Sequence, residues 1–172
     1  TLGAQGLLQT LKPGALLLDT SSAEPWITRA TAQALAAKGV AMVDAPVSGA
    51  QWGAQAAELV FMVGGDAVDV QRVRPLLETM GRAVFHLGGL GCGHAMKCIN
   101  NLITAMTFSA TAEGLAIGKA FGLDPVVVTD VLNESTGQSW ISKNHIAQRI
   151  ISRSFDDPFK LELMLKDVGI AM

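Results

Sequence analysis

Two regimes of hydrophobic patterning divide the chain. Through about residue 90, short apolar runs closed by turn residues alternate with amphipathic stretches. The run Ala15-Leu-Leu-Leu-Asp19, after the Lys12-Pro-Gly14 turn, has the length and bounds of a buried parallel strand. Capping hydroxyls at Asp19-Thr-Ser-Ser22 and Pro25 predict a helix whose Ala-rich body, Ile27 to Ala37, stops at Lys38-Gly39. Val40 to Asp44 is the next strand, Glu58 to Val63 another, Val68 to Met80 a helix stopped by Gly81, and Ala83 to Leu87 a last strand. Thr1 to Leu11 has a helix-like pattern ahead of all these.

After Gly88-Gly-Leu-Gly91 the strand signals stop. Ala95 to Phe121 holds no proline and predicts a helix of about seven turns. Asp124-Pro125 opens a second helix, and Trp140 to Ile151 and Phe159 to Met172 read as a third and a fourth, the last cut short. The fold class expected is α/β followed by all-α: the C-terminal half of a Rossmann-like dinucleotide-binding domain over residues 1–90, joined by the long helix to a helical domain over 91–172 that is expected to be incomplete. No internal repeat or low-complexity segment interrupts this plan.

Composition narrows the function. With 49% hydrophobic residues the chain can bury a core, and a net charge of -2 without a basic run leaves no footprint for nucleic acid. No apolar stretch approaches the roughly 20 residues of a spanning helix, so neither a membrane nor nucleic acid is an expected partner, and a cytoplasmic protein is expected. Cys92 and Cys98 suit small reduced helix residues, and His86, His94 and His145 lack metal-ligand spacing, so structural or surface roles and no metal are expected.

Three segments could carry chemistry. In Asp44-Ala-Pro-Val-Ser-Gly49 a strand ends in a turn, and ligands of open α/β sheets collect at such ends. There the Ser48 hydroxyl and the backbone N–H groups near Gly49 and Ala50 could hold a carboxylate, or simply form a Ser-Gly turn. Lys97 lies in the first turns of the long helix, with Asn101 one turn on and on the same face. The positive end of a helix eases a lysine toward giving up its proton, as a general acid/base must, although such pairs are also common on solvated surfaces. Phe159 to Asp167 is an amphipathic helix interrupted by Lys166. Trp52 and Trp140 are expected in the core, with pocket walls as the other reading.

In this order and spacing, Asp44-Ala-Pro-Val-Ser-Gly49, Gly91-x-Gly93-x-x-x-Lys97-x-x-x-Asn101 and Phe159 to Asp167 resemble the substrate, catalytic and cofactor-side motifs of the β-hydroxyacid dehydrogenase family. The segment Leu18-Asp-Thr-Ser-Ser22 resembles that family's strand end beside the nicotinamide. The resemblance implies an oxidoreductase using NAD or NADP on a small 3-hydroxy acid or its semialdehyde. In it Lys97 is the proton donor and acceptor, and Asn101 orients Lys97 and substrate. Ser48, Gly49 and Ala50 hold the substrate carboxylate, and Ser22 and Lys166 lie along the nicotinamide half of the cofactor. A homodimer or homotetramer is implied through the long helix.

Departures set further expectations. The family's opening Gly-x-Gly-x-x-Gly unit does not occur in these residues, and Gly91-Cys-Gly93 has no third glycine, so the stretch alone is expected to bind a dinucleotide poorly and to be inactive as a fragment. Ala50 and Ala57 stand where the family usually has glycine, and Trp52 is expected to narrow the substrate pocket. Asn100 stands where 6-phosphogluconate dehydrogenase has His, and Lys97 is a lysine that imine reductases generally lack. Both favour the simple hydroxyacid branch. The alternative of a different class is a truncated, non-catalytic oligomerisation or binding module, for which the set Ser48, Lys97, Asn101 and Lys166 has no use.

Overall fold

The computed structural model describes residues 1–157 and 159–172. They form two compact units: Thr1–Ile99 together with Gly169–Met172, and Asn100–Val168.

In the first unit, β1 (Leu16–Asp19) pairs in parallel with β2 (Ala41–Asp44), in register from Leu16↔Ala41 to Asp19↔Asp44. The connection runs through α1 (Pro25–Ala36), with Pro25 in its first turn, where a missing N–H costs nothing. α1 buries Thr28, Thr31, Ala32 and Leu35, spaced to form one face. Leu35 and Ala32 pack with Val40 and Met42 in one core cluster.

Beyond β2 come β3 (Val47–Ser48), the short helix α2 (Ala50–Gln55), β4 (Leu59–Gly64), α3 (Ala67–Met80) and β5 (Gly81–Gly88). β4 is the hub. It pairs in parallel with β5, antiparallel with β3, and meets β2 at the single antiparallel pair Asp44↔Gly64. Asp66 caps α3 by accepting the Val68 N–H at 3.2 Å. Val70, Val73 and Leu77 of α3 seal a second cluster over Val43, Phe61 and Val63. Gly81 opens β5 directly behind α3, because any Cβ there would lie 2.4 Å from the Leu59 carbonyl oxygen.

α4 (Cys92–Ala120) begins in the first unit and continues into the second. There follow α5 (Pro125–Asn133), capped by the Asp124 carboxylate on the Val126 N–H at 2.7 Å, a π-helical segment Ser142–Ile151, and α6 (Leu161–Ala171). Among the described residues no helix is long and apolar enough to cross a membrane.

The α/β portion followed by helices is the architecture expected. Three local expectations change. Thr1 to Leu11 supplies only one 3₁₀ turn, Leu7–Gln9, because Gly3 and Gly6 each cost a helix about 1 kcal/mol relative to alanine. The third helix forms, but with π pitch. The loop after Asp44 contains a two-residue strand and a six-residue helix, too short to leave a periodic signature.

Candidate active site

Asp44 ends β2 with its carboxylate fully buried. Oδ1 accepts the Gly91 N–H at 2.8 Å and Oδ2 the His94 N–H at 2.9 Å, so the carboxylate satisfies the backbone donors that open α4. A buried carboxylate is tolerable here because both oxygens are bonded and face a helix N-terminus. Glycine makes the approach possible: a Cβ on Gly93 would sit 2.3 Å from the Met62 carbonyl oxygen, and one on Gly64 2.6 Å from Asp44 Oδ1. The Gly91-x-Gly93 pair is thus a packing device that seats the helix on the strand ends.

One turn into α4, Lys97 is 8% exposed. Burying an ammonium group is costly without partners, which is why lysine is seldom found at such depth. Asn101, one turn further along the same helix, is also buried. Within the second unit its Nδ2 donates to Asp167 Oδ2 at 2.6 Å, and Asn100 Nδ2 donates to its Oδ1 at 3.1 Å. Those contacts fix which way the Asn101 amide faces. Asp167 is 1% exposed, with Lys166 Nζ 3.1 Å from Oδ1, while the Lys166 side chain itself is 45% exposed. In the sequence Asp167 stands only as the end of the Phe159 to Asp167 segment, and nothing local marks it as the partner of Asn101.

The Ser48 segment lies at the end of β3. Ser48 is half-buried, and Gly49 and Ala50 follow with φ of 130° and 51°. Two successive residues with positive φ turn the backbone sharply into α2. Ala57, closing the same excursion, has φ 55°. Both alanines noted as standing in place of glycine are therefore in the left-handed region that glycine occupies most easily.

Ser22 is half-buried in the loop after β1. The loop is shaped by Asp19 Oδ1, which accepts the Ser21 N–H at 2.9 Å, and by His94 Nε2, 3.1 Å from the Ser21 carbonyl oxygen. In the first unit a cleft of about 320 Å³ opens beside Asp19, Ala23, Ile27 and Thr28, at the small end of the range for ligand clefts. A hydroxyl and backbone donors at the C-terminal end of a parallel strand, as at Ser22, have the chemistry that the amide or ribose of a nicotinamide would need.

The tryptophan expectation is corrected. Trp52 is 50% exposed and Trp140 62% exposed: α2 buries none of its residues, and Trp140, just before the π-helical segment, meets the His145 ring at 4.8 Å while staying largely open to solvent. No group of metal-ligating side chains occurs among the described residues.

Comparison with known proteins places the chain in a family. Residues 1–88 match the family model described as the NAD binding domain of 6-phosphogluconate dehydrogenase, and 91–172 match the NAD-binding model of NADP-dependent 3-hydroxyisobutyrate dehydrogenase. A 3-hydroxyisobutyrate dehydrogenase of Pseudomonas aeruginosa is 41% identical over 99% of this chain and 59% of its own length. An NAD-dependent L-serine dehydrogenase of the same organism is 39% identical over the same shares. The solved Mycobacterium tuberculosis 3-hydroxyisobutyrate dehydrogenase with L-serine superposes with a TM-score of 0.88 at 34% identity, over 96% of this chain and 59% of that one. The chain thus spans little more than half the length of the relatives it matches.

Proposed function

The chain belongs to the β-hydroxyacid dehydrogenase family, and from that premise we propose that the protein carrying it transfers a hydride between NAD(P) and a small 3-hydroxy acid or the corresponding semialdehyde, with Lys97 as general acid/base. The observation that carries the reading is the burial of Lys97 one turn into a helix whose start is fastened to the strand ends by Asp44. A lysine spent on solubility would not be buried there.

A bound NAD(P) would supply the hydride for reduction and take it up in the oxidising direction. Lys97 gives its proton to the carbonyl oxygen during reduction and takes one from the hydroxyl during oxidation. Asn101 carries the orienting amide, and its own direction is set by Asp167 and Asn100. The Ser48 hydroxyl and the backbone N–H groups of Gly49 and Ala50 hold the substrate carboxylate, a charge-assisted arrangement. Ser22 and Lys166 are the residues that would hold the nicotinamide half of the cofactor.

Residues 1–90 are the dinucleotide-binding part and 91–172 the helical part of this scheme, in a cytoplasmic protein. A homodimer or homotetramer is part of the same proposal, supported by the apolar surface that α4 exposes at Ile103, Met106 and Ile117.

The test is Lys97→Ala in the protein that carries this chain, assayed on a panel including 3-hydroxyisobutyrate and L-serine. Turnover should fall by about 10²–10⁴, the usual contribution of a positioned acid/base, with little change in dinucleotide affinity. Near-normal turnover in that variant would remove Lys97 from the role. No turnover on any hydroxy acid by the unsubstituted protein would favour a non-catalytic module instead.

A further inference from the structure

His94 is fully buried three residues before Lys97, and its contacts reach Asp44, Thr28 and Ser21, which lie 50, 66 and 73 residues away in sequence. Its backbone N–H donates to Asp44 Oδ2 at 2.9 Å. Its ring Nδ1 is 2.6 Å from Thr28 Oγ1 on α1, and its ring Nε2 is 3.1 Å from the Ser21 carbonyl oxygen in the loop after β1. A carbonyl oxygen can only accept, so Nε2 carries a proton whatever the charge of the ring. At Nδ1 the Thr28 hydroxyl can serve as donor, or as acceptor by turning its own proton to the Glu24 carbonyl oxygen at 3.2 Å. The Asp44 carboxylate oxygen Oδ2 lies 3.9 Å from Nδ1.

We propose that His94 is a positioning residue that ties the Ser21–Ser22 peptide, on the nicotinamide side, to the first turn of the helix that carries Lys97. The inference rests on the functional reading above and deepens it. A peptide unit is planar, so holding the Ser21 carbonyl also fixes the direction of the Ser22 N–H. The same ring is rigidly attached to the backbone turn that Asp44 caps. Nicotinamide-side loop and acid/base helix are thereby held to one another by one side chain, which is the preorganisation that hydride and proton transfer at adjacent atoms require. Surface packing alone does not account for the set, because a buried apolar residue would fill the space without bonding the carbonyl.

The experiment compares His94→Leu, His94→Gln and Thr28→Val in the protein that carries this chain. Gln retains an N–H at about the reach of Nε2, Leu retains only bulk, and Val removes the hydroxyl partner of Nδ1. Loss of one such buried hydrogen bond corresponds to about tenfold. Fluorescence titration should accordingly show NADH or NADPH binding about tenfold weaker in His94→Leu, and weaker in the same sense in Thr28→Val. His94→Gln should stay within about threefold of the parent, as should the KM for the hydroxy acid in all three.

In parallel, ¹⁵N spectra of the imidazole should show a protonated Nε2, and amide exchange at Ser22 should quicken in His94→Leu. The link is overturned by unchanged nucleotide affinity in a folded His94→Leu, by a hydroxy-acid KM that moves as far as the nucleotide affinity, or by an Nε2 without its proton. Should His94→Leu not fold, Thr28→Val and His94→Gln decide: equal nucleotide affinity in Thr28→Val and the parent overturns it, as does weak binding in His94→Gln. If the unsubstituted protein turns over no hydroxy acid while nucleotide affinity still falls in His94→Leu, the reaction reading fails and the link stands. If turnover is normal and nucleotide affinity is unmoved, the reverse holds.

Discussion

Asp44 and His94 meet through a carboxylate oxygen and a backbone N–H at 2.9 Å, and this contact, with its twin to Gly91, decides where α4 begins. An amide in place of the carboxylate presents one acceptor and one donor to two N–H groups. Asp44→Asn therefore leaves one buried N–H facing another donor, and should cost about 2–3 kcal/mol, the range for a lost hydrogen bond to a charged group. Urea unfolding of the variant against the parent checks this. A loss below ~0.5 kcal/mol would mean that the cap is replaceable by water.

Asp167 acts on the proposed chemistry only through Asn101. Asp167→Asn keeps the volume but offers Asn101 Nδ2 an amide that can face either way, so the orientation of Asn101 loosens. Under the proposed function, kcat should drop by about tenfold or more with a smaller change in the KM for NAD(P). Asn101→Asp would instead set two carboxylates against each other at the present 2.6 Å spacing and should be the more damaging of the two. Equal kinetics for Asp167→Asn and the parent would separate Asp167 from the reaction.

Much of this was legible in the sequence, and the remainder was not for a common reason. The strands ending at Asp19 and Asp44 and the helix between them have local signatures: an apolar run, a first-turn proline, a Lys-Gly stop. Lys97 and Asn101 stand out as a candidate pair because one helical turn separates them. The contacts that hold them are non-local. Asp44 lies 47 and 50 residues from its two partners, and His94 and Thr28, like Asn101 and Asp167, are 66 apart. Periodicity cannot see such pairs. It equally cannot see β3 and α2, which end before a period repeats, and it overreads Thr1 to Leu11, where two glycines outweigh the apolar spacing.

Asp156 provides a pH-dependent check away from the proposed site. The Ser154 hydroxyl, 2.7 Å from Oδ1, and the Arg149 guanidinium both favour its charged form and hold the carboxyl below its ordinary value of 3.8. A folded value below the unfolded one means that the contribution to stability is present above pH 3.8 and is lost as pH falls through the folded value. The group is exposed, so the contribution is small and solvent-screened. A ¹³C titration should place the Asp156 midpoint below 3.8, and Ser154→Ala should raise it at least as far as Arg149→Gln does. A midpoint that ignores both changes would dissolve the cluster.

Ala50 and Ala57 open and close the short helical excursion that follows Ser48 and Gly49, and both have φ near 50°. A Cβ in that region costs roughly 1–2 kcal/mol through its clash with the following carbonyl oxygen. Glycine removes the clash but adds unfolded-state freedom worth about 0.5–1 kcal/mol, so each of Ala50→Gly and Ala57→Gly should stabilise by about 0.5–1 kcal/mol net. The two should differ in function. Ala57 lies beyond the last turn of α2, whereas Ala50 directly follows Gly49 in the proposed carboxylate loop. Ala50→Gly should therefore shift the KM for the hydroxy acid, and Ala57→Gly should leave it in place. Thermal unfolding and substrate titration on the pair separate the two effects. Destabilisation by either glycine would show that the alanine methyl group makes contacts worth more than the strain it imposes, and an unmoved KM in Ala50→Gly would take the backbone at that position out of carboxylate binding.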